Sequence, residues 1–283
     1  MTLADFKIKT VCTFSLLGLL GTTAGAEAGD VEVRVKRGLI LRQLNGQVTL
    51  WQQGNSRQSQ NGDRLQSAGE GVSTGSRSSV VLVIDLGIGQ VNVSERTRVN
   101  VQAIRTTNSG GNVLRLSVPT GRVQLKVRRF TNPDSQLEIE TPAGVAGVRG
   151  TQFGISIQNS GKMSIATGEG AVATTAQGRS VQVNGGFQNF TIPGEPPSEP
   201  VPLRDDPSLI SATFVPRLED GRRRLRLEGR VDTVNAVFID NVEVSTDREG
   251  RFSVEVNPVS FPRLQVTVVT PLGKQQSYVL AFR

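Results

Sequence analysis

The sequence predicts an all-β protein whose antiparallel strands form a sandwich or barrel. Three observations lead there. Segments such as "QVTLW", "SVVLVID", "RVNVQAI", "NVLRLSV", "RVQLKV", "QLEIE", "FGISI" and "KMSIA" alternate apolar with polar residues, the pattern of a strand with one face in a core. Turn dipeptides separate them at Asn45-Gly46, Asn61-Gly62, Gly110-Gly111 and Asn184-Gly185, where small residues admit the positive φ of tight turns. Beyond Ala26, no uninterrupted stretch combines a helical apolar period with caps.

The chain has 283 residues, 36% of them hydrophobic and 20% charged, with a formal net charge of +7. That length suits two domains with separate cores, and the basic balance favours anionic surroundings. Histidine is absent, which excludes Ser-His-Asp and Cys-His nucleophilic sites and every His-based metal site. The one cysteine, Cys12, lies in residues 1–26. There Lys7 and Lys9 precede the apolar run Val11 to Leu20, and Ala24-Gly25-Ala26 fits a small-residue cleavage site. These residues read as a signal peptide cleaved after Ala26. The run is shorter than the ~20 apolar residues that span a bilayer. The expectation is a periplasmic or secreted protein with no transmembrane span after cleavage.

From Glu27 the strands begin with "VEVRVK" and continue to Thr191. Residues 192–207, "IPGEPPSEPVPLRDDP", are proline-rich and read as a semi-rigid linker. Residues 208–283 resume alternation in "LISATFV", "RLRLEG", "NAVFID", "VEVST", "RFSVEV", "LQVTVVT" and "QSYVLAF". About seven short strands with turns between them predict an immunoglobulin-like sandwich.

The stretch "TPAGVAGVRGTQFGISI", followed by "GKMSIATGEGAVATTAQGRSVQVNGG", resembles the signature of the FecR domain. "NGDRLQSAGEGVSTGSRSSVVLVID" is similar to the family's earlier block, and "NVLRLSVPTGRVQLKV" to the segment between them. The resemblance covers Gly46 to Gly186 and implies a jelly-roll-type extracytoplasmic β domain over residues 27–191. The C-terminal part more loosely resembles bacterial Ig-like modules with a "DxxGxFS" turn. In the best-known FecR members the domain receives a signal from an outer-membrane transporter and relays it across the inner membrane to a sigma factor. Those members carry a cytoplasmic region and a transmembrane helix before the domain. Here a leader is followed almost at once by strands, so the expectation is a receiver module that binds without itself reaching the cytoplasm.

The glycines of "GVAGVRGTQFG" raise the alternative of a phosphate loop. Such a loop needs a following helix and usually a Lys or Ser/Thr, and this segment has neither a lysine nor a helix pattern. The glycines read instead as a tight β corner, with Val145 and Val148 packed inside and Pro142 fixing the entry. Arg149 is its one charge; it bridges loops, pairs with a carboxylate such as Glu169, or binds an anion.

The run "EDGRRRLRLEGR" places Arg222, Arg224 and Arg226 on one strand face and Leu225 and Leu227 on the other. It is a solvated face or an attraction for anionic envelope polymers. Trp51 packs in the first domain or stacks on a sugar. With few aromatics, nucleic acid is not an expected partner.

Candidate binding residues are thus Arg149, Arg222, Arg224 and Arg226, with no catalytic residue, metal or cofactor. The expected function is non-enzymatic binding of an envelope protein, a transporter or membrane regulator, or of an anionic envelope polymer. The alternative is a carbohydrate- or peptidoglycan-binding module.

Overall fold

The computed structural model describes residues 37–84, 87–219, 222–256 and 263–281; the expected signal peptide and the segment "VEVRVK" lie outside them. The protein is all-β, with no α-helix among the described residues. In chain order the strands are β1 (Leu39–Asn45), β2 (Val48–Gln52), β3 (Asn55–Gln58), β4 (Arg64–Leu65), β5 (Gly71–Thr74), β6 (Ser79–Ile84), β7 (Gly89–Val93) and β8 (Arg98–Thr106). They continue with β9 (Asn112–Val127), β10 (Gln136–Thr141), β11 (Gly144–Val148), β12 (Gln152–Ile157), β13 (Met163–Glu169), β14 (Ala171–Ala176), β15 (Arg179–Asn184) and β16 (Phe187–Thr191). The remainder are β17 (Val201–Pro202), β18 (Ser211–Glu219), β19 (Arg222–Arg230), β20 (Ala236–Ile239), β21 (Val242–Val244), β22 (Arg251–Val256), β23 (Arg263–Val269) and β24 (Gln275–Ala281).

The first seventeen strands form two layers that share β9. One layer runs β4-β1-β6-β7-β9-β12-β13-β16-β17, all antiparallel. The other runs β3-β2-β5-β8-β9-β10-β11-β14-β15, in which only β9 and β10 are parallel. β9 belongs to both because it turns a corner. Its residues up to Thr120 pair with β8, and those from Gly121 onward pair with β7 and β12.

The inward phase of β9 slips by one residue at that corner. Leu114, Leu116 and Val118 precede it, Val123, Leu125 and Val127 follow it, and all six lie in one core. Without the slip, one half of the strand would turn its apolar side to the outside. Thr97 holds the bend from the β7–β8 turn. Its buried hydroxyl accepts the Arg122 N–H at 2.9 Å and donates to the Glu95 carbonyl at 2.9 Å.

A second core lies between a three-stranded sheet, β18-β19-β22, and a four-stranded sheet, β21-β20-β23-β24. Leu227 and Phe252 reach it from the first, Val237, Val266 and Val268 from the second.

Residues 192–207 are fixed to their surroundings, unlike a spacer. β17 adds to the edge of β16, the Leu203 N–H donates to the Gly186 carbonyl at 2.8 Å, and Arg179 pairs with Glu199. At the far end Asp205 accepts from Thr270 Oγ1 at 2.6 Å and meets Lys274 Nζ at 2.9 Å. Proline is tolerated in β17 because the strand lies at a sheet edge.

Thr97→Val keeps the shape of the corner but leaves the Arg122 N–H without its acceptor. A loss of about 1–3 kcal/mol is expected for a buried unsatisfied donor, measured as a lower denaturant midpoint at unchanged slope.

Candidate functional site

The FecR-like stretch crosses from one layer to the other. β10 and β11 form a hairpin in one sheet, and the turn at Arg149-Gly150 delivers the chain to β12 in the other. Gly150 adopts φ 95°, and a methyl group there would overlap the backbone of Arg129. The end of β9 is therefore locked against the turn, and the Val127 N–H donates to the Thr151 carbonyl at 3.0 Å. The inward residues of β11 are Ala146 and Val148, while Val145 is only half-buried. Strand alternation explains the correction: Val145 and Val148 are three residues apart and cannot share a face. Pro142 is exposed.

Arg149 is exposed and donates through Nη2 to the Pro133 carbonyl at 3.0 Å, bridging two loops. Glu169 instead lines a shallow groove of about 710 Å³ with Lys126, Arg128 and Arg129. Those three cations stand immediately beside the Gly150 turn; Lys126 belongs to the alternating segment "RVQLKV", and Arg128 and Arg129 follow it.

The arginine run is not brought together with Arg149; it lies on β19 in the C-terminal three-stranded sheet. Leu225 and Leu227 are buried as their alternation requires, and Arg224 and Arg226 reach Glu255 at 3.0 and 3.5 Å. The backbone of Arg222 opens the strand opposite Glu219. This face carries cross-strand ion pairs, including Arg217 with Glu228 at 3.3 Å. Trp51 is half-buried, and the Arg98 guanidinium sits 4.4 Å from its ring centre. That face of the indole already has a cationic partner.

The densest polar structure is elsewhere, on the outer face of β12, β13 and β16. Phe153, Ile155, Ile157, Met163 and Ile165 point into the first core. Their neighbours Ser156, Gln158, Lys162, Ser164 and Gln188 point the other way and are buried as well. Period two predicts these positions at the surface; the C-terminal sheets and their loops cover them. Gln158 donates to the Asn235 carbonyl at 3.2 Å and to Thr246 Oγ1 at 3.0 Å, and accepts the Thr246 N–H at 2.9 Å. Lys162, 1% exposed, donates to Thr246 Oγ1 at 3.1 Å and to the Asp247 carbonyl at 2.5 Å, with its ammonium 4.8 Å from the Phe190 ring centre. Gln188 donates to Asp232 at 2.9 Å, and Gln124 of β9 to the Leu272 carbonyl at 2.9 Å.

Gly154 completes this contact. It faces the Pro271 carbonyl so closely that any β-carbon would displace the 271–272 backbone. Burial depresses Lys162 to about 8, opposed by the fields of Asp247, Asp232 and Glu249. Below that pH the junction holds a buried ammonium, whose desolvation the hydrogen bonds offset.

Beside the junction lies a cleft of about 530 Å³ between the outer face of β9 and β12 and the strands β20, β21, β23 and β24. Arg122 and Glu243 face it. Burial lowers the Arg122 pKa, partly opposed by Glu95 and Glu243. Burial also raises Glu243 to about 7, opposed by the Asn159 N–H and by Arg122 and Arg96. Neither Arg122, Glu243, Lys162 nor Gln158 stood out in the sequence. In alternating strands a polar outward residue looks the same whether water or another sheet covers it.

The corner, the shared strand and most of the buried polar face fall within one contiguous block of sequence. Residues 70–173 match the FecR protein family. The FecR block runs from the edge of β5 into β14, so it contains β9, the Gly150 turn, Gly154, Gln158 and Lys162. No curated protein matches the chain. Two crystal structures described as a "putative anti-sigma factor" from Parabacteroides distasonis, at 2.50 and 1.65 Å, are similar at 14% identity and a TM-score of 0.38. The similarity covers 46% of this chain and 56% and 57% of those chains. The chain thus spans just over half the length of the solved structures it matches.

Two outcomes follow from the junction. Trp51 lies in the first β-layer region and Tyr278 packs against the second core, so near-ultraviolet circular dichroism can follow each. Gly154→Val should melt the Tyr278 signal before the Trp51 signal, whereas the wild type melts both together. For Glu243, the folded protein retains between its usual 4.5 and about 7 a proton that the unfolded chain releases. Stability therefore falls as pH rises through that window. Glu243→Gln should match the wild-type melting temperature below it and exceed the wild type by a constant margin above it.

Proposed function

We propose that this is an exported, non-enzymatic FecR-domain protein that binds a partner in the cell envelope, in signal sensing and relay or in envelope assembly. The match of residues 70–173 to the FecR family is the observation that carries the reading, and it supports a role in signal transduction. The partner is an envelope protein, a transporter or a membrane regulator, or an anionic envelope polymer. The C-terminal sheets serve as an immunoglobulin-like module fixed to the receiver domain. No helix among the described residues is long and apolar enough to cross a membrane. The absence of histidine, and a sole cysteine in the expected leader, support a binding role over catalysis.

The contact surface in this reading is the basic groove beside the signature turn, where Lys126, Arg128 and Arg129 adjoin Gly150. Arginine there suits bidentate recognition of carboxylates on a partner. In-cell crosslinking followed by affinity recovery from the envelope tests it. Wild-type protein should recover one transporter or membrane regulator. The double variant Arg128→Glu/Arg129→Glu should lose it, with Arg149→Ala weakening recovery less. Equal recovery by all three proteins contradicts the groove, and recovery of no envelope component contradicts the reading.

A further inference from the structure

The cleft beside the junction has features that the docking of the two cores does not use. Arg122 projects from the outer face of β9, paired in register with Ser156 of β12. Its Nε is buried and meets no hydrogen-bond acceptor among the described residues. This differs from Arg96 nearby, whose guanidinium already donates to Ser76 Oγ at 3.1 Å and to the Asn241 carbonyl. A guanidinium nitrogen buried with its donor unmet is costly unless an anion or polar group completes it. Glu243 supplies charge across the cleft and is itself held by the Asn159 N–H.

Elsewhere in the lining, beside the charged Arg77, Glu95 and Arg96 and the apolar Phe238 and Val242, Ser156, Gln265, Thr267 and Gln275 present hydroxyl and amide groups on strands of both cores. These are donors and acceptors for hydroxyl groups. At about 530 Å³ the cleft lies within the usual size range of small-molecule sites.

We propose that this cleft binds a small hydroxylated oxyanion, a sugar acid or sugar phosphate, with Arg122 holding the anionic group and the amide and hydroxyl side chains holding the sugar hydroxyls. Charge-assisted bonds to guanidinium fix the anion. Because β9 and β12 supply one wall and β20, β21 and β23 the other, an occupant would touch both cores at once and bind only while they are docked. Glu243 competes with the ligand for Arg122, so neutralising it should strengthen binding. The cleft lies outside the basic groove assigned to the protein partner, and it stands or falls independently of that assignment.

Titration calorimetry on the full chain at low ionic strength tests the site with three probes: D-glucuronate, D-glucose 6-phosphate and D-glucose. The expected result is binding of at least one of the two anions, with glucose at least about tenfold weaker. Glucuronate alone assigns a carboxylate ligand, glucose 6-phosphate alone a phosphate, and both assign the oxyanion generally. Arg122→Met should weaken the anion at least about tenfold, as expected for one lost charge-assisted bond. Arg122→Lys should recover part of it, and Glu243→Gln should tighten it. Absence of binding by either anion, equal binding of glucose, or full binding by a folded Arg122→Met protein overturns the proposal. The wild-type comparison of glucuronate with glucose stands even if the Arg122 variants fail to fold.

Discussion

The hydrogen-bond group formed by Gln158, Lys162 and Thr246 fixes how the rest of the structure is arranged. It takes polar residues from the connection that joins β12 to β13, which an isolated sandwich would leave in water, and buries them against the C-terminal loops. Buried polar groups are tolerable only when their bonds are made, so this face commits the two cores to one another. Gln188 with Asp232, and Gln124 with the Leu272 carbonyl, extend the same commitment along β16 and β9. The resulting contact is directional. An apolar contact of equal extent could slide, whereas these bonds set a register between the sheets.

The glycine-rich stretch takes its meaning from that contact. Gly150 lets the end of β9 lie against the turn that carries the chain between layers, and Gly154 admits the Pro271 carbonyl. Gly147 sits in mid-strand with no close neighbour. One motif thus serves both the corner of the first core and the seat of the second. Its single charge, Arg149, ties the turn to the Pro133 carbonyl, and the cations nearest the turn come from β9 and the residues just after it. The bent β9 in turn links the groove at one of its ends to the Arg122 cleft at its corner, through a strand that both layers share.

Much of the fold was legible. Alternation and turn dipeptides gave an all-β chain, and the arginine run alternates with buried leucines as read. What the sequence could not reveal is what covers an outward polar position. Ser156, Gln158 and Lys162 look like ordinary solvent-facing residues of "FGISIQ" and "GKMSIA", because hydrogen bonding to another sheet and hydrogen bonding to water call for the same side chains. Residues 192–207 carry a related ambiguity. Proline signals extended backbone, yet extended backbone at a sheet edge is also a strand, and β17 is one. The slip in phase within β9 was hidden because each half alternates correctly by itself.

Amide hydrogen exchange at Thr246 tests the account most directly. Its N–H donates to Gln158 at 2.9 Å within the buried junction, on a stretch that follows the short strand β21. If docking of the two cores governs the structure, this amide exchanges as slowly as those of the central strands β12 and β13, through global opening alone. Exchange at the rate of an exposed loop, with β12 and β13 still protected, would show that the C-terminal sheets move free of the first core and would contradict the account.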